Sequence, residues 1–169
     1  LTAPGKQIGR LQLARISNTG GWAYSFVPIA TVGDGDGPTV LISAGNHGDE
    51  YEGQVAALRL IHELDAAQVH GRVIVVPVIS KEASWANTRL WPSGANLNRS
   101  FPGNPDGPPD EQLADFCSRL LFPRADIVVD MHSGGRSSIC PPWSEMHWVD
   151  DPEQRRQMAA GMLGWNTDV

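Results

Sequence analysis

His47 and Glu50 stand three positions apart directly after one short apolar run, and His132 stands directly after another. Imidazole and carboxylate are both ligand types for a divalent first-row cation. A catalytic zinc site takes three such groups and keeps a fourth position open for water or substrate. A separation of three lets His47 and Glu50 turn toward one point if a helix begins there. Glycines flank both clusters, at Gly45, Gly48, Gly134 and Gly135, where backbone would have to approach closely. Asp130 lies two before His132, on the same side of a strand. It suits either the orienting of a neighbour or a purely structural role. Taken singly, neither histidine differs from a hydrogen-bonded surface residue. Their shared position, each just past a strand, is what singles them out.

The elements that must place them follow from pattern. Leu11 to Ile16 and Trp22 to Ile29 read as strands joined by a turn at Asn18-Thr19-Gly20-Gly21. Gly33-Asp34-Gly35-Asp36-Gly37-Pro38 is a breaker without the spacing or closing glutamate of a calcium loop. Thr39 to Ala44 is a buried strand, followed by a helix from about Tyr51 to Leu64 with Ala57, Leu58, Ile61 and Leu64 facing inward. Arg72 to Ile79 is the next strand. Lys81 to Pro109, rich in Asn, Gly and Pro, reads as one long loop of the kind that is usually functional. A helix from Asp110 to Leu121, capped by Asp110, a buried strand from Ala125 to Met131, and a last helix from Asp151 to Leu163, capped by Asp150 or Asp151, complete the chain. Strands alternating with helices imply an α/β fold, a mixed central sheet flanked by helices. Ligands in such sheets collect beyond the carboxyl ends of the strands. Residues 1–38 are expected to hold the N-terminal strands and turn, and residues 39–169 the zinc-binding α/β catalytic domain.

Length and charge bound the function. The chain has 169 residues, 41% of them hydrophobic, and a formal charge of -6. That is the composition of an ordinary globular domain, and the charge disfavours nonspecific nucleic-acid binding. No apolar run approaches the roughly 18 residues of a membrane span. Cys117 and Cys140 have no metal-site or disulfide spacing and read as reduced thiols of a cytoplasmic protein. The first residue is Leu1, not Met, so a removed leader stays open. No GxSxG elbow supports a serine hydrolase. His62 and His70 read as surface residues, and Trp85, Trp91 and Trp143 either as pocket lining or as ordinary packing.

Three segments together resemble a known family. Gly45-Asn46-His47-Gly48-Asp49-Glu50 resembles the first metal motif of the succinylglutamate desuccinylase/aspartoacylase family, within the zinc carboxypeptidase-like superfamily. Asn98-Arg99, inside Asn96-Leu97-Asn98-Arg99-Ser100-Phe101-Pro102-Gly103, resembles its substrate motif, and Asp130-Met131-His132-Ser133-Gly134 its third-ligand strand. The wording is similar to the N-acetyl-diaminobutyrate deacetylase branch. The resemblance implies one zinc ion per chain on His47, Glu50 and His132. Asn98 and Arg99 would then hold the carboxylate of an N-acyl amino acid, and Arg89 would steady the developing oxyanion. It implies hydrolysis of the amide bond to a free amino acid and a carboxylic acid, with the small-molecule substrate as partner. A homo-oligomer is compatible with it. Where family members carry Asp as the acceptor for a zinc histidine, this chain has Asn96, which would fill that role with a neutral oxygen. The family's general-base glutamate would fall beyond Val169, and the chain reads as C-terminally incomplete. A metallocarboxypeptidase acting on peptide C-termini and a non-catalytic zinc- or ligand-binding domain are the competing readings.

Overall fold

Two long N-terminal strands, Gly5–Ser17 (β1) and Gly21–Gly33 (β2), pair antiparallel along their full length, with Leu11 opposite Val27. The structure is a computed structural model that describes residues 1–17 and 21–167. The first three residues of the turn expected at Asn18-Thr19-Gly20-Gly21 therefore lie outside the described residues. Both strands run further than their apolar alternation indicated, because backbone pairing continues through polar positions such as Gln7 and Thr31.

The remaining strands are short and apolar: Thr39–Ala44 (β3), Arg72–Val76 (β4) and Ile127–Met131 (β5). The sheet order is β1-β2-β4-β3-β5. β2 meets β4 antiparallel, whereas β3 lies parallel to both β4 and β5, so the sheet is mixed as expected. The chain leaves β3 through the helix Tyr51–Glu63 (α1), returns as β4 on one side, and later lays β5 on the other. That reversal beside β3 is the kind of switch point where α/β sheets bind ligands. The register Ala44↔Met131 brings the carboxyl ends of β3 and β5 together.

Successive residues of a strand face opposite sides, and the core divides accordingly. Leu41, Ile74 and Val76 point into the larger cluster, which contains Val27, Leu97 and Leu113. Ala44 and Val75 face the other side, against Ala57 and Ile61 of α1. The buried positions of α1 are Gly53, Gln54, Ala57 and Ile61, at helical spacing. Leu58, expected inside, is exposed, because Gly53 and Gln54 rotate the buried stripe away from it. A Cβ on Gly53 would lie 3.0 Å from that of Met131, so this glycine lets α1 sit close on the end of β5.

The segment expected to be one long loop carries its own structure. It begins with a short helix, Lys81–Ala86 (α2), closed by Asn87 in the left-handed region, and later makes a 3-10 turn at Leu97–Arg99. Trp91 and Leu97 are core residues, and the Trp91 indole N–H donates to Ser80 Oγ at 2.9 Å. Trp85 lies outside, with the Lys81 ammonium 3.9 Å from its ring centroid. The next helix spans Pro109–Phe116 (α3) and loosens into a π-turn at Cys117–Leu121. Its N-cap is Pro108 rather than Asp110; Asp110 is buried in the first turn and accepts from Ser100 Oγ at 2.8 Å. β5 also departs from expectation: among the described residues it pairs only with β3, and as an edge strand it leaves Ile127 and Val128 exposed.

Residues 1–137 form one compact unit and residues 138–169 a second. The second contains the helix Pro152–Gly164 (α4), whose first turn is capped by Asp151 accepting from the Glu153 N–H. Arg155 lies 3.8 Å over the Trp148 ring there. Cys117 and Cys140 are both unpaired. No helix of the described residues is long and apolar enough to cross a membrane.

Leu97 is fully buried and holds the 3-10 turn against the core. Leu97→Ala is expected to cost about 2–5 kcal/mol, the usual range for an emptied leucine site. Urea unfolding checks this, and an unchanged midpoint would show that the turn is not anchored there.

Candidate metal centre

His47 lies in the loop between β3 and α1, and Glu50 is the residue on which α1 begins. Their backbones form a tight turn, with the Glu50 N–H donating to His47 C=O at 3.4 Å. Gly45 opens the loop with φ +67°, a conformation that side-chain-bearing residues rarely take. Gly48 lies so close to α2 that an added Cβ would fall 2.0 Å from the carbonyl carbon of Ala83. These two contacts fold the loop back over the strand ends. His132 follows β5 directly, and the pairing of Ala44 with Met131 puts it beside the loop.

The three expected ligands converge. One donor atom from each of His47, Glu50 and His132 lies within 4.8 Å of the others. Both histidines turn Nδ1 toward the same carboxylate, His47 to Glu50 Oε1 and His132 to Glu50 Oε2, each at 2.8 Å. The imidazole rings are 5.0 Å apart between centroids. For comparison, ligands about 2 Å from a tetrahedral ion stand roughly 3.3 Å from one another. Two nitrogens and one carboxylate form a donor set suited to zinc. His47 Nε2 is buried without a hydrogen-bond partner. These residues fit a divalent cation in chemistry and in direction.

Charge in this cluster is held by specific contacts. Glu50 is 3% exposed. Burial opposes its ionisation, but the Ser133 backbone N–H, His132 and His47 hold its carboxyl below the ordinary value. Burial lowers the His47 pKa, against the attraction of Glu50. His132 moves the other way, to about 9, chiefly through its hydrogen bond to Asp130 and against partial burial. Asp130 Oδ2 lies 2.9 Å from His132 Nε2. A proton on Nε2 directed there leaves Nδ1 as the atom that can give a lone pair to a metal. Desolvation opposes the Asp130 charge as well, yet His132, Ser43 and Asn46 keep its pKa below the usual carboxylate value.

The other expected site residues lie around this centre with different clarity. Arg89 places Nη1 2.9 Å from Glu50 Oε1 and is 57% exposed, so its charge faces both the ligand carboxylate and solvent. Asn98 directs Oδ1 to the Asn46 amide at 3.0 Å. The Arg99 guanidinium is exposed and, among the described residues, donates only to its neighbour's backbone, Asn98 C=O at 3.3 Å. The Asn96 side-chain oxygen caps the 3-10 turn by accepting from the Asn98 N–H at 3.1 Å; apart from the contacts to Glu50, the histidine-to-acid contact at this site among the described residues is His132 Nε2 to Asp130 Oδ2, while His47 Nε2 is buried without a partner. Trp91 is packed in the core, not set as a pocket wall.

Three contributors were missed in the sequence. Ser43 donates to Asp130 Oδ1 at 2.7 Å from the neighbouring strand, where the two residues are register partners. Its signal was a hydroxyl within an otherwise apolar strand. Ser133 supplies its N–H to Glu50 at 3.0 Å and its hydroxyl to Glu52 at 2.5 Å. Asn46 donates to both Asn98 and Asp130, and only its place directly before His47 marked it.

Comparisons with known proteins bear on the family and the fold. Residues 36–166 match the family model described as the succinylglutamate desuccinylase/aspartoacylase catalytic domain. The N-alpha-acetyl-L-2,4-diaminobutyric acid deacetylase of Halomonas elongata is 45% identical over 160 residues, covering 94% of this chain and 47% of that protein. A crystal structure of a succinylglutamate desuccinylase/aspartoacylase from Rhodobacter sphaeroides superposes with a TM-score of 0.89 at 41% identity, covering 94% of this chain and 49% of the other. The product-bound ectoine utilization protein EutE (DoeB) from Ruegeria pomeroyi superposes with a TM-score of 0.92 at 39% identity, covering 97% of this chain and 51% of the other. The chain thus spans about half the length of these relatives.

The raised pKa of His132 carries a stability prediction for the metal-free protein. A histidine whose folded pKa exceeds its unfolded value of about 6.5 contributes stability that is complete below that pH and lost as pH rises through the folded value. In chelator, the urea midpoint is expected to fall between pH 6.5 and about 9, and Asp130→Asn should shrink that fall. A midpoint flat across this window would contradict the His132–Asp130 pairing.

Proposed function

The chain belongs to the succinylglutamate desuccinylase/aspartoacylase family, and we propose on that premise that it is the zinc-binding part of an amide hydrolase releasing a free amino acid from its N-acyl derivative. The observation that carries this reading is the approach of His47 Nδ1 and His132 Nδ1 to the two oxygens of one buried carboxylate, Glu50. Such a set provides three protein ligands and leaves room for a fourth.

Zinc bound there would supply Lewis acidity at the acyl carbonyl and bring water toward ionisation near neutral pH. The chain's own residues have separate tasks. Asp130 fixes the ring of His132 so that Nδ1 faces Glu50. Arg89, beside Glu50, is the cation placed to meet negative charge developing on the acyl oxygen. Arg99 offers a planar fork of donors for a substrate carboxylate, with Asn98 next to it. Holding the amino-acid end in this way would present the acyl carbonyl at a defined distance from the metal centre. The name of the Halomonas elongata relative favours an N-alpha-acetyl diamino acid as substrate.

Three measurements test the reading. Zinc is expected at one ion per chain in the wild type and to be lost in His47→Ala; stoichiometric metal in that variant would remove His47 from the site. Arg99→Ala should weaken binding of N-alpha-acetyl-L-2,4-diaminobutyric acid about 10- to 100-fold, the worth of a lost charge-assisted pair. Unchanged binding would take Arg99 out of the substrate site. Deacetylation of that compound, set against hydrolysis of short peptides, separates the deacylase from a carboxypeptidase. Zinc binding without either activity would leave a ligand-binding domain.

A further inference from the structure

Asn46 has a role that neither the metal nor the substrate assignment uses. It is 4% exposed, and its Nδ2 makes two hydrogen bonds at once. One goes to Asp130 Oδ2 at 3.2 Å, the oxygen that also meets His132 Nε2. The other goes to Asn98 Oδ1 at 3.0 Å. The opposite end of the amide, Oδ1, is buried without a partner. A buried carbonyl oxygen left unsatisfied costs free energy, but reversing the amide would set Oδ1 against a carboxylate and a second carbonyl oxygen. The charge of Asp130 and the oxygen of Asn98 therefore lock the orientation.

The consequence reaches Asn98. An asparagine amide has one accepting and one donating end. With Oδ1 engaged by Asn46, the Nδ2 group of Asn98 is the end left over, and it has no protein acceptor among the described residues. A carboxylate only accepts hydrogen bonds. Donors, not acceptors, must therefore face it, and the arginine beside Asn98 is also a pure donor.

Resting on the reading of the preceding subsection, we propose that Asn46 is a positioning residue which fixes the polarity of Asn98 toward a substrate carboxylate and, through Asp130, the orientation of the metal ligand His132. One buried amide would thus join the two halves of the site. Ser43, which donates to the other Asp130 oxygen at 2.7 Å, supports only the metal half. This difference supplies the control.

The test uses the chain as it is, with zinc affinity from chelator competition and ligand affinity from calorimetry. The ligands are N-alpha-acetyl-L-2,4-diaminobutyric acid and the same compound with its carboxylate replaced by a carboxamide. Asn46→Ala should weaken zinc about tenfold, as loss of an outer hydrogen bond commonly does, and cut the preference for the carboxylate over the carboxamide by about the same factor. Asn46→Leu, of similar volume but with no hydrogen-bonding end, should leave Asn98 free to turn either way and cut the carboxylate preference as Asn46→Ala does. Ser43→Ala should weaken zinc while keeping the carboxylate preference. An Asn46→Ala protein unchanged in both readouts would overturn the proposal, as would an Asn46→Leu protein that keeps the carboxylate preference. Equal loss of both properties in Ser43→Ala would assign the effects to general loosening instead. Wild-type chain that binds no zinc would refute the underlying metal assignment itself, which separates the two failures.

Discussion

A carboxylate buried as deeply as that of Glu50 must have its charge met by neighbours, because removing it from water costs several kcal/mol. Four groups meet it: two imidazoles, the Arg89 guanidinium and the Ser133 backbone N–H. They arrive from three parts of the fold. His47 comes from the loop after β3, Arg89 from the segment after α2, and His132 and Ser133 from the end of β5. The site therefore exists only when the β3–β5 register, the loop turn at Gly45 and the packing of that loop on α2 are all correct. Local turn geometry and long-range pairing answer to a single buried charge.

A second layer carries the order outward. Asp130 holds His132, and it is itself held by Ser43 across the strand pair and by Asn46 from the loop. Groups of this kind fix the tautomer and ring orientation of a metal ligand. Here they also touch Asn98, beside the arginine proposed to receive the substrate carboxylate. The 3-10 turn bearing Asn98 and Arg99 is anchored from below by Leu97, so the polar network rests on the larger core cluster.

Much of this was legible in the sequence for physical reasons. Short apolar runs at Thr39–Ala44 and residues 125–131 read as strands by length and flanking residues, and histidines just past both pointed to a shared ligand site. What stayed hidden depended on tertiary context. The segment after Lys81 looked like loop by composition, yet Trp91 and Leu97 draw it into the core and order it. Asn96 reads as the acceptor for a zinc histidine, but a short polar side chain before a turn is readily used for capping, and it is Asp130 that meets His132. Leu58 fell on the expected helical stripe and is exposed, because glycine and glutamine at 53 and 54 set the buried face. Ser43 carries only the weak signal of a hydroxyl in an apolar strand and gains meaning from its register with Asp130, and Asn46, on the loop, is revealed only by its hydrogen bonds.

X-ray absorption at the zinc edge on the zinc-loaded chain tests the central claim most directly, since it reads the atoms around the ion. A first shell of two imidazole nitrogens and one carboxylate oxygen at about 2.0–2.2 Å, with a light fourth ligand, is the predicted result. A shell lacking imidazole scattering, or unchanged when both His47 and His132 are replaced by alanine, would contradict the account.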